Sequence, residues 1–450
     1  MKNLSILLLS LAIMACSKNN TAASTGLSTD PPQYGTPFSN VPAGRDANIY
    51  QVNIRSFSAA GNLNGVTARL DSIRNLGINV IYLMPLHPVG ILKGINSPYA
   101  IRDYKTVSTE FGTLEDLRNL VNGAHSRNMA VMMDWVANHT SWDNGWISNK
   151  SWYKQDASGN VVSPAGYNDV AQLDFNNKEM RTAMIEALRY WVLAANIDGY
   201  RFDFADNVPY DFWKQANTSL KSIGGRKLLL FAEGTRDDHF NAGFELKFGF
   251  GFFGNLKDVF GSNKTITVIN ELNASEYKNN KEESQVVRYI TNHDVNSSDG
   301  TPLDLFGGKK GSMAAFIIAA YMKGVPMIYN GQEVATPIRL TFPFASTKIN
   351  WSINPDVTSE YKKILAFRNS SAAIRRGQLF SYSSDDVYAF TKESGAEKVF
   401  VMINVRNTVV EYSLPAALSN SAWVDGFSGA TVSLTSKVNL QPYAYLILKK

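Results

Sequence analysis

Four acidic side chains in this 450-residue chain end or follow apolar runs. Asp134 closes Met129-Ala130-Val131-Met132-Met133, Asp203 closes Gly199-Tyr200-Arg201-Phe202, and Glu233 closes Leu228-Leu229-Leu230-Phe231-Ala232. Asp294 comes shortly after Val286 to Ile290. Such short apolar runs read as buried strands. An ionised carboxylate at the end of a buried strand is costly to desolvate unless something compensates it. Any one of these acids is as readily a cap or a salt-bridge partner. Four on successive strand ends point to chemistry.

The local spacing suggests which chemistry. Residues two apart on a strand face the same way, so Arg201 and Asp203 share a side. A neighbouring guanidinium favours an ionised Asp203 and lowers its pKa, which suits a nucleophile. Glu233 follows an apolar run, and that setting or a nearby ionised Asp203 raises its pKa, which suits a proton donor. Two carboxylates with pKa values pushed apart are the arrangement for glycoside cleavage. A retaining reaction would hold them ~5–5.5 Å apart.

These residues must be held by regular elements. Strand-like runs at 79–85, 129–134, 198–204, 228–233, 286–290 and 326–329 alternate with helical stretches at 114–128, 178–195 and 312–323. That alternation predicts parallel βαβ units. Their number favours a closed (β/α)₈ TIM barrel, which displays its active site at the C-terminal ends of its strands. A loop-like stretch at about 140–174, carrying Trp142, Trp146, Trp152 and Tyr167, predicts a short inserted loop domain after strand 3. The three tryptophans are equally readable as sugar platforms and as loop anchors. Beyond residue 374 the helices stop, and alternating segments such as Val387 to Thr391 and Val399 to Asn404 predict a C-terminal antiparallel, sandwich-like β-domain over 374–450.

On these residues the chain resembles the α-amylase superfamily, glycoside hydrolase family 13. The motifs are Asp134-Trp135-Val136-Ala137-Asn138-His139, Asp198-Gly199-Tyr200-Arg201-Phe202-Asp203, Phe231-Ala232-Glu233 and Thr291-Asn292-His293-Asp294. Supporting matches include Ile49-Tyr50-Gln51-Val52, Ser97-Pro98-Tyr99, Gln172-Leu173-Asp174 and Gly331-Gln332-Glu333. The resemblance implies a catalytic domain over 45–370, with Asp203 as nucleophile, Glu233 as acid/base and Asp294 as transition-state stabiliser. It implies that His139 and His293 bind hydroxyls of the cleaved sugar, that Arg201 orients Asp203, and that Tyr99 stacks under that sugar. The implied substrate is a starch-like α-glucan or maltooligosaccharide, cleaved mainly at α-1,4 bonds. A neopullulanase- or cyclomaltodextrinase-like enzyme, an α-1,6-acting hydrolase and a transglycosylase stay open within the family. A non-catalytic glucan-binding surface lipoprotein is the alternative outside it. Many starch-degrading relatives carry Lys then His where this chain has Asp206 and Asn207. Asn138 matches a family calcium ligand, and Asp169 or Asp174 could add another, so a structural Ca²⁺ is an open expectation. No organic cofactor is implied, and no Gly-rich phosphate loop follows the first strand.

Composition bounds the rest. Hydrophobic residues make up 44% and charged residues 18%, enough for a large soluble core. The net charge of +5 is spread without basic runs, which argues against nucleic acid as a partner. The single cysteine excludes an intrachain disulfide. Cys16 ends Met1-Lys2-Asn3, an uncharged apolar stretch from Leu4, and Ile13-Met14-Ala15. Residues 1–16 thus resemble a bacterial lipoprotein signal with lipid attachment at Cys16, and a plain secretory signal is the other reading. Both place the protein outside the cytoplasm, the first as a membrane-anchored lipoprotein on a periplasmic or cell-surface face. Residues 17–44, rich in Ser, Thr, Asn, Pro and Gly, read as a flexible tether. Nothing in the sequence indicates an oligomeric state.

Overall fold

The computed structural model describes residues 30–278 and 283–450. In chain order the strands are β1 Ile49–Val52, β2 Val80–Leu83, β3 Ala130–Val136, β4 His139–Ser141, β5 Val170–Gln172, β6 Gly199–Asp203, β7 Leu229–Ala232, β8 Leu246–Phe248, β9 Gln285–Arg288 and β10 Val325–Tyr329. All of these but β4 and β5 form one closed barrel, each strand beside the next in sequence and β10 beside β1. Every pairing in it is parallel. The expected eight-stranded architecture is therefore present.

The sequence accounts for this locally. Barrel strands are apolar on both faces because one face fills the barrel and the other meets the helices. Val80, Ile81, Tyr82 and Leu83 are all buried. The helix Leu114–Ser126 begins at a capping box in which Thr113 and Asp116 exchange side-chain and backbone bonds. It buries Leu117, Leu120, Val121 and Ala124, one stripe at helical spacing. Full burial of such a Leu contributes about 1.5–3 kcal/mol. Asn177 caps the helix Lys178–Ala194 through the Met180 amide. Gly199 opens β6 where β7 approaches closely, and a Cβ there would lie 1.9 Å from the Leu229 carbonyl oxygen. Parallel strands direct all their C-terminal ends to one rim, where the loops gather.

The inserted segment after β3 folds around the antiparallel pair β4 and β5. After the barrel come β11 Gln378–Ser381, β12 Val387–Ser394, β13 Glu397–Asn404, β14 Val410–Ser413, β15 Ser421–Asp425, β16 Thr431–Leu434, β17 Lys437–Leu440 and β18 Tyr445–Lys449. Six form an antiparallel sheet ordered β11-β12-β13-β18-β15-β16, and β14 pairs with β17. Strand alternation is visible in the packing. Tyr388, Phe390, Val401 and Ile403 join the barrel's apolar core, while Val387, Ala389, Phe400 and Met402 face the domain's own core.

Residues 30–44 differ from the expected tether. Phe38 stacks on His125 at 4.5 Å, and the Tyr34 amide donates to the Leu193 carbonyl at 2.8 Å. Arg189 pairs with Asp30, and Arg226 donates to Gln33 at 2.8 Å. This stretch is a strap on the barrel, held by two aromatic rings that composition alone obscured. Residues 1–29, which include the signal-like segment and Cys16, lie outside the described residues.

Candidate active site

The strand ends gather most of the expected residues around one cleft. Tyr99, His139, Asp203, Glu233, His293 and Asp294 all line it, and it offers about 680 Å³ of space to water. Asp203 is the last residue of β6. Glu233 follows β7, and its amide donates to the Phe202 carbonyl at 3.0 Å. Asp294 sits in the first turn of the helix His293–Ser298, capped by Asn292 through the amides of Asp294 and Val295. Its side chain is 58% exposed, the most open of the three acids.

Asp134 departs from the expected set. It sits beside Arg201 on the neighbouring strand in the β3–β6 register, is buried, and does not line the cleft. It accepts from Arg201 Nη1 at 2.8 Å, Tyr82 Oη at 2.7 Å and Tyr99 Oη at 3.1 Å. This carboxylate lies beneath the floor and serves the groups above it.

Arg201 is the hub. Its Nη1 contacts Asp134 and, at 3.0 Å, Asp203 Oδ1, while Nη2 pairs with Glu233 Oε1. Asp203 therefore has no private counter-ion. Three carboxylates share one guanidinium, which corrects the expected depression of the Asp203 pKa. Burial and the neighbouring Glu233 push the Asp203 carboxyl well above its ordinary value, and Arg201 only partly opposes them. Asp134 is also raised, by burial, against Arg201 and the Tyr82 hydroxyl. Carboxylates coupled this closely titrate as a set rather than as separate residues.

The neutral groups are also ordered. Burial pushes His139 and His293 down to about 4, so both rings are uncharged near neutral pH. Gln51 Nε2 lies 2.9 Å from His293 Nδ1, and His293 Nε2 lies 2.6 Å from Tyr99 Oη. If the amide donates to Nδ1, the ring proton sits on Nε2 and points to Tyr99, whose hydroxyl then donates to Asp134. That relay fixes one tautomer. The Tyr99 ring also stacks on His293 at 5.4 Å.

Further residues line the cleft beyond the expected site set. Ile95, Phe204, Phe250 and Phe342 carry no signal in the sequence, while Tyr167 and Asp206 stand out there without a role in the site. Tyr167, Phe250 and Phe342 are among the exposed large hydrophobics, at 49%, 37% and 43%. Aromatic faces left open in a cleft complement the apolar faces of sugars. The tryptophans of the inserted segment are anchors instead. Trp146 packs on Tyr104 and Trp152, and Trp142 lies under Lys93. Phe204 has φ +52°, a left-handed turn rarely adopted by a bulky residue. That turn aims its amide at Glu233 Oε2, 2.8 Å away.

The calcium expectation finds no assembled ligand set. Among the described residues no three His, Cys, Asp or Glu side chains cluster as metal ligands. The Asn138 side chain lies against His139 Nδ1 at 3.3 Å, and Asp174 accepts from the backbone and side chain of its own neighbour Asn176. Asp169 faces the cleft. The Asn138 and Asp174 side chains are thus engaged by other partners within the protein.

Known proteins resemble the chain in sequence and in fold. The family profile described as Alpha amylase, catalytic domain, matches residues 28–160 and 147–366, and that of Maltogenic Amylase, C-terminal domain, matches 378–447. Alpha-amylase 2 of Dictyoglomus thermophilum is 27% identical over 428 residues, covering 89% of this chain and 72% of that protein. A cyclomaltodextrinase of Geobacillus thermopakistaniensis is 25% identical over 426 residues, covering 86% and 70%. Among solved structures, an alpha-amylase from Lactobacillus plantarum aligns with a TM-score of 0.79 at 26% identity, covering 90% of this chain and 99% of that one. A noncanonic maltogenic alpha-amylase, AmyB from Thermotoga neapolitana, aligns with a TM-score of 0.82 at 24% identity, covering 91% and 99%.

Proposed function

The chain belongs to the alpha-amylase family of glycoside hydrolases acting on α-glucans, and from that premise we propose a retaining enzyme, cutting mainly α-1,4 bonds, with Asp203 as nucleophile and Glu233 as acid/base. The observation that carries this is the single Arg201 guanidinium bridging Asp203 and Glu233 at the base of one cleft. Only neighbouring carboxylates can share one guanidinium, and a retaining mechanism needs them close, ~5–5.5 Å apart. Asp203 attacks the anomeric carbon while Glu233 gives its proton to the departing glycosidic oxygen. Glu233 then takes a proton from water, whose oxygen displaces Asp203 from the sugar. Asp294, open to the cleft, accepts from sugar hydroxyls. Neutral His139 binds a sugar hydroxyl, and neutral His293 orients the Tyr99 hydroxyl, so neither adds a charge to the ring as it becomes cationic. Tyr99 supports the same sugar.

The test is hydrolysis of soluble starch, maltoheptaose and pullulan by the protein from about residue 30, with the product anomer followed by proton NMR. Turnover of maltoheptaose with the α-anomer appearing first is expected. The β-anomer would overturn retention. Binding without turnover of any of the three would replace the enzyme by a glucan-binding protein.

Lipid attachment at Cys16 is proposed on the sequence of residues 1–16 alone. The strap adds a geometric consequence. Tyr34 and Gln33 bind beside Leu193 and Asn196, just before β6 begins, which is the rim opposite the cleft. Residues 17–29 would span at most ~45 Å at full extension, which bounds the distance between the strap and an anchoring membrane. Cys16→Ser is expected to move the protein from the detergent phase to the aqueous phase with kcat on maltoheptaose unchanged. Equal partition of the two forms would reject the anchor.

A further inference from the structure

We propose that Asp206 is a positioning residue for Glu233, bracing the loop that leaves the acid/base. Asp206 lies in the short turn Ala205–Asn207, directly after the Asp203 strand. Its carboxylate is turned toward the residues that follow Glu233. It accepts from the Thr235 amide at 2.9 Å, the Thr235 hydroxyl at 3.2 Å, the Arg236 amide at 3.2 Å and His239 Nε2 at 2.6 Å. Arg236 reciprocates, donating through Nη1 to the carbonyls of Asp206 at 2.9 Å and Val208 at 3.0 Å.

The residues before Asp206 hold Glu233 itself. The Ala205 amide donates to the Glu233 carbonyl at 3.0 Å, and the Phe204 amide donates to Glu233 Oε2. One turn thus grips the backbone and side chain of Glu233 together with Thr235 and Arg236 beyond it. The fit at Gly234 shows how close this grip is. A Cβ there would lie 2.3 Å from Asp206 Oδ1 and 2.4 Å from His239 Nε2. Burial disfavours an ionised Asp206, yet His239 and the two amides hold its carboxyl below the usual range. The acceptors are therefore charged and strong across the working pH range. Aspartate stands where many starch-degrading relatives carry lysine, and its carboxylate is engaged within the protein.

The inference rests on Glu233 being the acid/base, so the test uses a leaving group that makes protonation dispensable. In α-maltosyl fluoride the C–F bond breaks as the Asp203 oxygen–carbon bond forms, and fluoride leaves with the electron pair. For that substrate kcat/KM reports glycosylation without a proton donor. Asp206→Ala and Asp206→Asn are expected to lose about 10²-fold in kcat/KM on maltoheptaose, the scale of a small misplacement. On α-maltosyl fluoride they should stay within about threefold of wild type. Equal losses on both substrates, or none on either, would overturn the brace. Arg236→Ala, at a partly exposed position, provides the same comparison if Asp206 variants fold poorly, with a smaller loss confined to maltoheptaose. Glu233→Gln run alongside separates the two ideas. If it keeps maltoheptaose activity, the acid/base assignment fails. If it loses that activity while Asp206 and Arg236 variants do not, the brace alone fails.

Discussion

Asp203→Asn and Glu233→Gln will each lower kcat on maltoheptaose by at least ~10³-fold, and they will differ on α-maltosyl fluoride. Asp203→Asn removes the attacking oxygen's charge, so it fails with either leaving group. Glu233→Gln removes only the proton donor, so kcat/KM on the fluoride survives while turnover stalls at the intermediate, where water has lost its base. Both variants keep side-chain volume, and a fold-matched comparison is fair at Asp203, which meets Arg201 through one oxygen. Glu233 is less forgiving. One oxygen pairs with Arg201 and the other accepts from the Phe204 amide, and a glutamine amide can satisfy only one of them. Some loss from misplacement will therefore accompany the loss of acid. The fluoride substrate isolates it. A Glu233→Gln variant as slow on the fluoride as Asp203→Asn would mean that geometry, not proton donation, had been removed.

Much of this site was legible because its residues sit on strand ends, where an acid after an apolar run stands out. Asp203 and Glu233 were visible for that reason, and their shared rim followed from parallel strands. Strand β8 was not visible. Leu246-Lys247-Phe248 is only three residues long and carries a lysine in its middle, buried near Asp237 and Thr235. A run that short has no readable period, and Phe250 just beyond it was missed with it. Asp134 looked like a fourth cleft acid because position along a strand does not fix depth in a barrel. Its register with Arg201 sets it one layer down. The expected depression of the Asp203 pKa failed for a related reason. A neighbour two residues away is visible in sequence, but that Arg201 also serves Asp134 and Glu233 is a property of the closed barrel. The tryptophans stayed undecided in the sequence, since indole rings in a polar loop can equally stack on sugars or pin the loop down, and their packing on Tyr104, on one another and under Lys93 decides for the second. Asp206 was noticed only as a departure from the family pattern, because its partners lie in a loop that only folding brings beside it.

The same sharing makes Arg201 the position where one substitution costs most. Arg201 is fully buried among Asp134, Asp203 and Glu233. Removing one partner from a buried ion pair typically costs about 3–5 kcal/mol, and here Arg201→Met strands three carboxylates. The loss should depend on pH with a definite sign. Asp203 and Asp134 both hold protons more tightly in the fold than at their ordinary value of 3.8. A carboxyl raised in this way withdraws stability as pH climbs from its unfolded pKa through its folded one. Arg201 opposes that rise at both acids. Without it their folded pKa values climb further, so the deficit of Arg201→Met is small near pH 4 and grows toward pH 8. Urea melts across that range will show it, whereas a deficit independent of pH would mean that only packing was lost. Arg201→Met combined with Asp203→Asn should recover part of the stability at pH 8 and none at pH 4, because the second change removes a charge that exists only at the higher pH. Arg201→Lys restores a charge, but one ammonium cannot reproduce the fork that reaches Asp203 through one nitrogen and Glu233 through the other. Its stability should therefore lie near wild type while kcat falls by ~10²-fold or more. That dissociation would place the value of the guanidinium in holding the two reacting carboxylates at a fixed separation, beyond neutralising them.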